Sequence, residues 1–584
     1  MIGLPLDGHD LNTKRRKWSI VGATIVLITL IIFFSTNLFN YFKIIITSIP
    51  KDDSKICPLH EKIIPESFFK DNSTVLKILN DPIYKNESIQ RLSGALQIDT
   101  QIFDHQPDVK EDPKIWKKFE KFHNYLEDTF PLIYKNLKIE KVNTYGLVYT
   151  WKGNNPSLKP TLLLAHQDTV PIQKSTLDKW TYPPLSGTYN PQTDYIYGRG
   201  AADCKNLLIA ILETLEILLA DNFKPERSIV VAFGFDEESS GLVGAQNIGK
   251  FLEQKYGKNS FKVLLDEGLG INLDPLTDTI IASPGIGEKG YIDIQIELKT
   301  PGGHSSIPPD HTSIGIISAL NVLIEKDQFK PKLGEKNPIF QYYQCLATHD
   351  YKDKIPSFFK KVILRSGFDK FSNSKLIKFI SSNRLTKYLI QTSQAIDIIN
   401  GGEKANALPE QTKVLINSRI EVDSNVDVVK NHFTEKVIEI AKEYDIKVNS
   451  FGKIVYNPKT NISNGEFNIS SIGWLEPAPL SPTNDKVWQY ISGITRFIYE
   501  DLVFPNITYP IITAPSIMTG NTDTRWYWNL TKNIYRFTPS FMGDFIGGLG
   551  IHSVDERLPF KSHLQLQAWF YEFLQGIDEK NVGE

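Results

Sequence analysis

Hydrophobic and polar positions along the chain fall into three regimes. The first is one apolar stretch near the start, Trp18 to Phe34, behind the basic run Lys14, Arg15, Arg16 and Lys17. An apolar span of about 17–25 residues crosses a hydrocarbon core as a helix. This one carries no charge, and Thr24 and Thr29 can return their hydroxyls to the helix backbone. The stretch predicts an uncleaved transmembrane anchor over residues 18–36 in preference to a signal peptide, because no small-residue cleavage site follows it. The basic flank predicts a cytosolic tail, 1–17, and a single-pass type II arrangement with the bulk of the chain outside the cytosol.

Residues 37–110 read as a stalk and irregular lead-in, with Pro50, Pro58 and Pro65 as breakers. The second regime follows, in which short apolar runs alternate with helical spacing. Thr161 to Ala165, Ile229 to Phe233 and Phe261 to Leu265 predict buried strands, and Leu207 to Leu219 predicts a helix. That alternation predicts an α/β domain on a mainly parallel sheet. The third regime has a period of two. From Tyr291 to Leu298, Ile292, Ile294, Ile296 and Leu298 alternate with Asp293, Gln295 and Glu297, the mark of a strand with one wet face. Similar strands are predicted at Thr412 to Ile420 and around Ile446 to Val455. Residues 289–475 therefore read as an inserted α+β domain, with the charged segment 325–395 as its elaboration. The first domain is left discontinuous, as 111–288 and 476–584. No internal repeat or low-complexity tract is visible.

Composition changes this picture in three respects. At 584 residues, 41% apolar and 23% charged, the chain is globular and too long for a single core. A formal net charge of −2 leaves no electrostatic footprint for nucleic acid. The three cysteines, Cys57, Cys204 and Cys345, form no CxxC pair, so at most one disulfide forms, and any metal must be held by His and carboxylates. Asn-x-Ser/Thr triplets at Asn72, Asn86, Asn461, Asn506 and Asn529 are N-glycosylation candidates in a lumenal chain.

The candidate chemistry lies just beyond the carboxyl ends of the predicted strands, where α/β sheets place their ligands. The first strand ends in His166-Gln167-Asp168, and a turn Gly198-Arg199-Gly200-Ala201-Ala202-Asp203-Cys204-Lys205 opens the helix. The next strands run into Glu237-Glu238 and Asp266-Glu267-Gly268, and Gly550-Ile551-His552 comes late. Each motif alone is commonplace; their order and context carry the signal. Two imidazoles and three carboxylates suit a pair of divalent ions, with one carboxylate bridging and a neighbouring one free to move a proton. Asp168, two residues beyond His166, suits the task of orienting the imidazole.

From about residue 110 to 580 these elements resemble, in order, the zinc-dependent aminoacylase/carboxypeptidase family, and within it the fungal vacuolar carboxypeptidase branch. The resemblance implies a di-zinc exopeptidase domain with an inserted lid, and two Zn2+ ions per subunit. It implies Asp203 as the bridging ligand, His166 and Asp266 completing one metal site, and Glu238 and His552 completing the other. Glu237 would be the general base and Asp168 the support of His166. In the lid, His304 of Pro301-Gly302-Gly303-His304-Ser305-Ser306 would reach the substrate carbonyl as an oxyanion donor. Asn406 and Arg419 would hold a substrate carboxylate, and Gly520 to Arg525 would line the pocket. The implied substrates are peptides with a free C-terminus in a vacuolar lumen, with homodimerisation through the lid as a family expectation. Two other readings stay open: hydrolysis or synthesis of N-acyl amino acids, and a non-catalytic membrane receptor or scaffold on a retired peptidase fold.

Overall fold

The computed structural model describes residues 8–35, 38–47, 56–458, 464–543 and 548–579, with only the backbone described for 8–14 and 32–35. Helix α1 (Gly8–Ser35) covers most of the segment expected to cross a membrane. That expectation is corrected: among the described residues no helix is long and apolar enough to do so. The single-pass topology that rested on such a span loses its support. The side chains of 32–35, residue 36, and residues 1–7 of the tail lie outside what is described.

The lead-in is more ordered than its prolines suggest. Helix α2 (Pro82–Leu96) starts with Pro82 in its first turn, where a missing N–H costs nothing. Tyr84, Leu92 and Leu96 join the main core. Residues 66–96 therefore belong to the large domain.

That domain is built on a mixed sheet. Its strands are β1 (Lys138–Val142), β2 (Gly146–Trp151), β3 (Thr161–His166), β4 (Ile229–Gly234), β5 (Val263–Asp274) and β6 (Gly285–Glu288), with helix α3 (Lys205–Ala220) between β3 and β4. The central strands β3, β4 and β5 pair in parallel, as the buried apolar runs require. β1 and β2 flank them antiparallel. Odd-numbered residues of β3 and β5 (Leu163, Ala165, Val263, Leu265) face α3, in one core. Even-numbered ones (Leu162, Leu164, Leu264) face a second core with Tyr527.

The inserted domain begins at β7 (Gly290–Lys299), continues through β8 (Ala395–Gly401), β9 (Gln411–Ile420), β10 (Lys447–Ser450) and β11 (Lys453–Tyr456), and ends with β12 (Glu466–Leu475). The sheet order is β8-β9-β7-β12-β10-β11. Ile292, Ile294, Ile296 and Leu298 fill the face covered by helices α4 (Ser313–Lys326) and α5 (Val426–Tyr444), as their period of two requires.

The helical elaboration behaves differently from a lid extension. Helices Pro338–Thr348, Ser357–Arg365 and Lys370–Ile380 bury Ile339, Leu346, Ile363, Leu376 and Ile380 against Ile281, Ile512 and Ile517 of the large domain. A disulfide between Cys57 and Cys345 closes the same contact, leaving Cys204 as the free thiol. β13 (Ser516–Met518) and β14 (Ile534–Phe541) then complete the main sheet beside β6 and β5. Helix α6 (Phe560–Glu579) ends the described chain. It buries Trp569, Phe573 and Leu574 in the main core, while its Gln567 accepts from the Tyr84 hydroxyl and Ser67 N donates to Glu579.

Candidate metal centre

Two imidazoles approach one carboxylate from opposite oxygens. His166 Nε2 lies 3.1 Å from Asp203 Oδ1, and His552 Nε2 lies 3.1 Å from Asp203 Oδ2. His552 Nε2 is also 3.0 Å from Glu238 Oε2, and His166 Nε2 is 3.5 Å from Glu267 Oε1. The ligand atoms therefore gather into two groups that share Asp203: His166, Asp203, Cys204 and Glu267, and Asp203, Glu238 and His552.

Each residue is held by local structure. His166 ends β3 and donates from Nδ1 to Asp168 O at 3.0 Å, which turns the Nε2 lone pair into the site. The Asp168 carboxylate accepts from Glu237 N (3.2 Å) and Glu238 N (3.0 Å), and so fixes the turn after β4 that presents both glutamates. Asp236 frames the same turn by accepting from Val243 N and Gly244 N. The turn preceding α3 wraps around the buried Glu556. Its Oε1 accepts from Gly200 N, Ala202 N and Asp203 N at 2.9–3.1 Å, and its Oε2 accepts from Arg199 Nη1 at 2.6 Å. Gly200 is required here: φ is +90°, and a Cβ would lie 2.8 Å from Thr169 Cγ2. Lys205 Nζ donates to Ala95 O and Ile98 O, tying this turn to the end of α2.

Glu556 positions Asp203 through backbone donors, and sequence reasoning missed it because a glutamate four residues past His552 carries no motif. Replacing it with Ala is expected to leave the Arg199 guanidinium buried and unpaired, and to lower unfolding free energy by about 3–5 kcal/mol. Denaturant titration of the variant checks this; unchanged stability would mean that Arg199 finds another partner.

Asp266, which the resemblance implies as a ligand, lies outside both ligand groups, and Glu267, which has no role in the sequence reading, falls in the first. The Oδ1 of Asp266 accepts from Glu267 N, and its Oδ2 is buried without a hydrogen-bond partner among the described residues. The reason is strand alternation. Glu267 continues the face of Val263 and Leu265, towards Asp203 at the start of α3, whereas Asp266 continues the face of Leu264. No sequence signal separates the two acids, since Val263, Leu264 and Leu265 are all apolar and buried; the packing of β5 against α3 does. Cys204, the buried thiol of the first group, accepts from His166 N at 3.4 Å.

The electrostatics are those of crowded, buried acids. Burial, then the charge of Asp203, pushes the Glu238 carboxyl up to about 7 and that of Glu267 to about 8. Glu237 is raised well above the carboxylate range by loss of solvation, then by Glu267. His552 is raised to about 10 by its hydrogen bonds to Asp203 and Glu238. Carboxylates that raise one another's proton affinity in this way, with two imidazoles among them, fit a pair of divalent cations.

The lid residues lie elsewhere. His304 and Asn406 share an exposed ribbon, Gly303–His304 paired with Ala407–Leu408, in which Ser305 N donates to Asn406 O. His304 Nδ1 accepts from Ser306 N and Ser306 Oγ. Among the described residues neither bonds to the metal groups. Arg419, on β9, donates to Asn521 Oδ1 at 2.8 Å. Of the sequons, Asn72, Asn86, Asn506 and Asn529 are exposed, and Asn461 lies outside the described residues.

Carboxypeptidase S of Saccharomyces cerevisiae is 44% identical over 528 residues, covering 89% of this chain and 90% of that protein. N-fatty-acyl-amino acid synthase/hydrolase PM20D1 of Mus musculus is 30% identical over 497 residues, covering 84% and 87%. Among solved structures, human carnosine dipeptidase 1 matches with a TM-score of 0.58 at 14% identity, covering 88% of this chain and all of that one. The di-peptidase Dug1p of Saccharomyces cerevisiae matches at 0.56 and 14%, covering 87% and 98%. At such identities these two bear on the fold alone. A family match over residues 162–576, together with a relative 44% identical along nearly the whole length, means that the chain belongs to peptidase family M20/M25/M40 as a metallopeptidase hydrolase close to fungal carboxypeptidase S.

Proposed function

We propose that the protein is a di-zinc carboxypeptidase that releases C-terminal amino acids from peptides. The observation that carries the reading is Asp203, with one oxygen facing His166 and the other facing His552 at equal distance. His166, Asp203 and Glu267 would hold one zinc ion, and Asp203, Glu238 and His552 the other. Bound zinc would polarise the scissile carbonyl and lower the pKa of water.

The chain's own residues do the rest. Glu237, presented on the turn that Asp168 fixes, takes the proton of the attacking water and delivers it to the leaving amine. Glu556 and Asp168 hold Asp203 and the two glutamates in register. His304 donates to the developing oxyanion when the lid ribbon closes on substrate, and Arg419 receives the free carboxylate. Asn406, beside His304 on that ribbon, adds a polar contact to the substrate.

The similarity to carboxypeptidase S supports the peptide substrate, and the similarity to a fatty-acyl-amino acid synthase/hydrolase favours an N-acyl amino acid as the second reading. Zinc-loaded protein assayed on an N-blocked dipeptide and on a long-chain N-acyl amino acid separates them. Rapid, chelator-sensitive release from the dipeptide is expected. Preference for the acyl amino acid would change the substrate and keep the site, and silence on both would favour the retired fold.

The disulfide supports an oxidising compartment, in keeping with the vacuolar lumen that the resemblance implies and the glycosylation candidates of the sequence. The exposed edge strand β8, with Ile398 and Ile399 facing solvent, supports pairing of two lids into a homodimer.

A further inference from the structure

The segment from Gly520 to Trp526 touches both domains. On one side Trp526 Nε1 donates to Ser240 O at 3.0 Å. Asp523 packs so tightly that a Cβ on Gly234 or Gly241 would lie 2.4–2.5 Å from its carboxylate oxygens. The segment is thereby seated on the turn that carries Glu237 and Glu238. On the other side Asn521 Nδ2 donates to Lys289 O at 2.7 Å, and Asn521 Oδ1 accepts from Arg419 Nη1.

Arg419 lies directly opposite Tyr291 in the β7–β9 register. The guanidinium carbons of Arg419 and Arg525 lie 5.7 and 5.4 Å from the Tyr291 ring centroid, and Arg525 Nη2 donates to the Tyr291 hydroxyl at 3.3 Å. Two cations thus share one ring. The carboxylates that face Arg419, Asp293 and Glu288, are engaged elsewhere: Asp293 accepts from Asn417, and Glu288 binds Arg536 and Thr522. Arg525 Nε is buried with no hydrogen-bond partner among the described residues. Like charges held together in a half-dried cleft are costly until an anion joins them, and guanidinium forks match a carboxylate.

We propose that Arg525 and Arg419 form one carboxylate subsite built across the domain junction, with Asn521 holding the Arg419 guanidinium in place and the substrate's free C-terminal carboxylate as its ligand. The proposal rests on the carboxypeptidase reading and adds to it a specificity residue from the large domain. Because each domain supplies one guanidinium, a bound carboxylate links lid to base, and a C-terminal amide does not.

The test compares the zinc-loaded full-length protein and its variants on an N-blocked dipeptide and on the corresponding dipeptide amide. Arg525→Gln is expected to lower kcat/KM on the acid roughly 10- to 100-fold, chiefly through KM, with little change on the amide. Arg525→Lys, which keeps the charge and most of the packing, is expected to recover part of the loss. Inhibition by the product amino acid should weaken in parallel, with melting temperature unchanged. If Arg525→Gln keeps the acid-over-amide preference while Arg419→Gln loses it, the shared subsite is overturned and the carboxypeptidase reading stands. If the wild-type protein shows no preference for the acid, the carboxypeptidase reading falls and takes the subsite with it.

Discussion

Glu237→Gln is expected to cut kcat by roughly 10²- to 10⁴-fold while zinc content and melting temperature stay at wild-type values. The substitution keeps the shape of the side chain and removes its ability to accept a proton. The backbone N–H that Asp168 holds is unaffected, so the turn should keep its geometry. Glu237 belongs to neither ligand group. Shielding from water, then the charge of Glu267, raises its affinity for a proton well above that of an ordinary glutamate, which suits a group that must take one from water and give it back. Single-turnover kinetics with parallel metal analysis read the result. Full activity would remove Glu237 from the mechanism, and loss of zinc would make it a ligand.

Removing Glu267 should cost far more zinc affinity than removing Asp266. A residue that only orients a ligand is worth about 10- to 100-fold in metal affinity, so Asp266→Ala is expected to fall within that range. Glu267→Ala should exceed it and retain one zinc equivalent fewer after dialysis. Chelator competition on the two variants gives the comparison directly. The opposite ranking would return the ligand role to Asp266 and require β5 to present its other face when metal binds.

How far the site was legible follows from where each residue sits. His166, Asp203, Glu238 and His552, which the structure brings together, were candidates through the order of their motifs at strand ends and glycine-marked turns and through the family resemblance. The pair Asp266-Glu267 offered two adjacent acids, and choosing between them needed the register of β5 against α3, a packing fact. Glu556 acts through three backbone N–H groups, which no side-chain motif encodes. Arg525 and Asn521 acquire meaning only where the lid comes back to the large domain, more than 200 residues after Tyr291. The alternating strand at Tyr291 to Leu298 was plain because one of its faces is wet. The helices from Pro338 to Ile380 read as an elaboration of the lid, yet their apolar faces bury against the large domain, a choice of partner that periodicity does not record.

The seat of α6 has a consequence for how the molecule is made. Its aromatic residues complete the core that α2 and α3 begin, and Gln567 reaches Tyr84 across 483 positions of chain. A ribosome exposes the early helices long before their last partner exists, and contacts so distant in sequence close slowly. The large domain must therefore wait, with part of its interior uncovered, until residues 560–579 have been made. During that interval the inserted domain, whose core draws only on residues from 292 to 469, is free to fold by itself. Biosynthesis should thus run from the middle outward, with the catalytic half the last to become solid and the most dependent on chaperones while it waits.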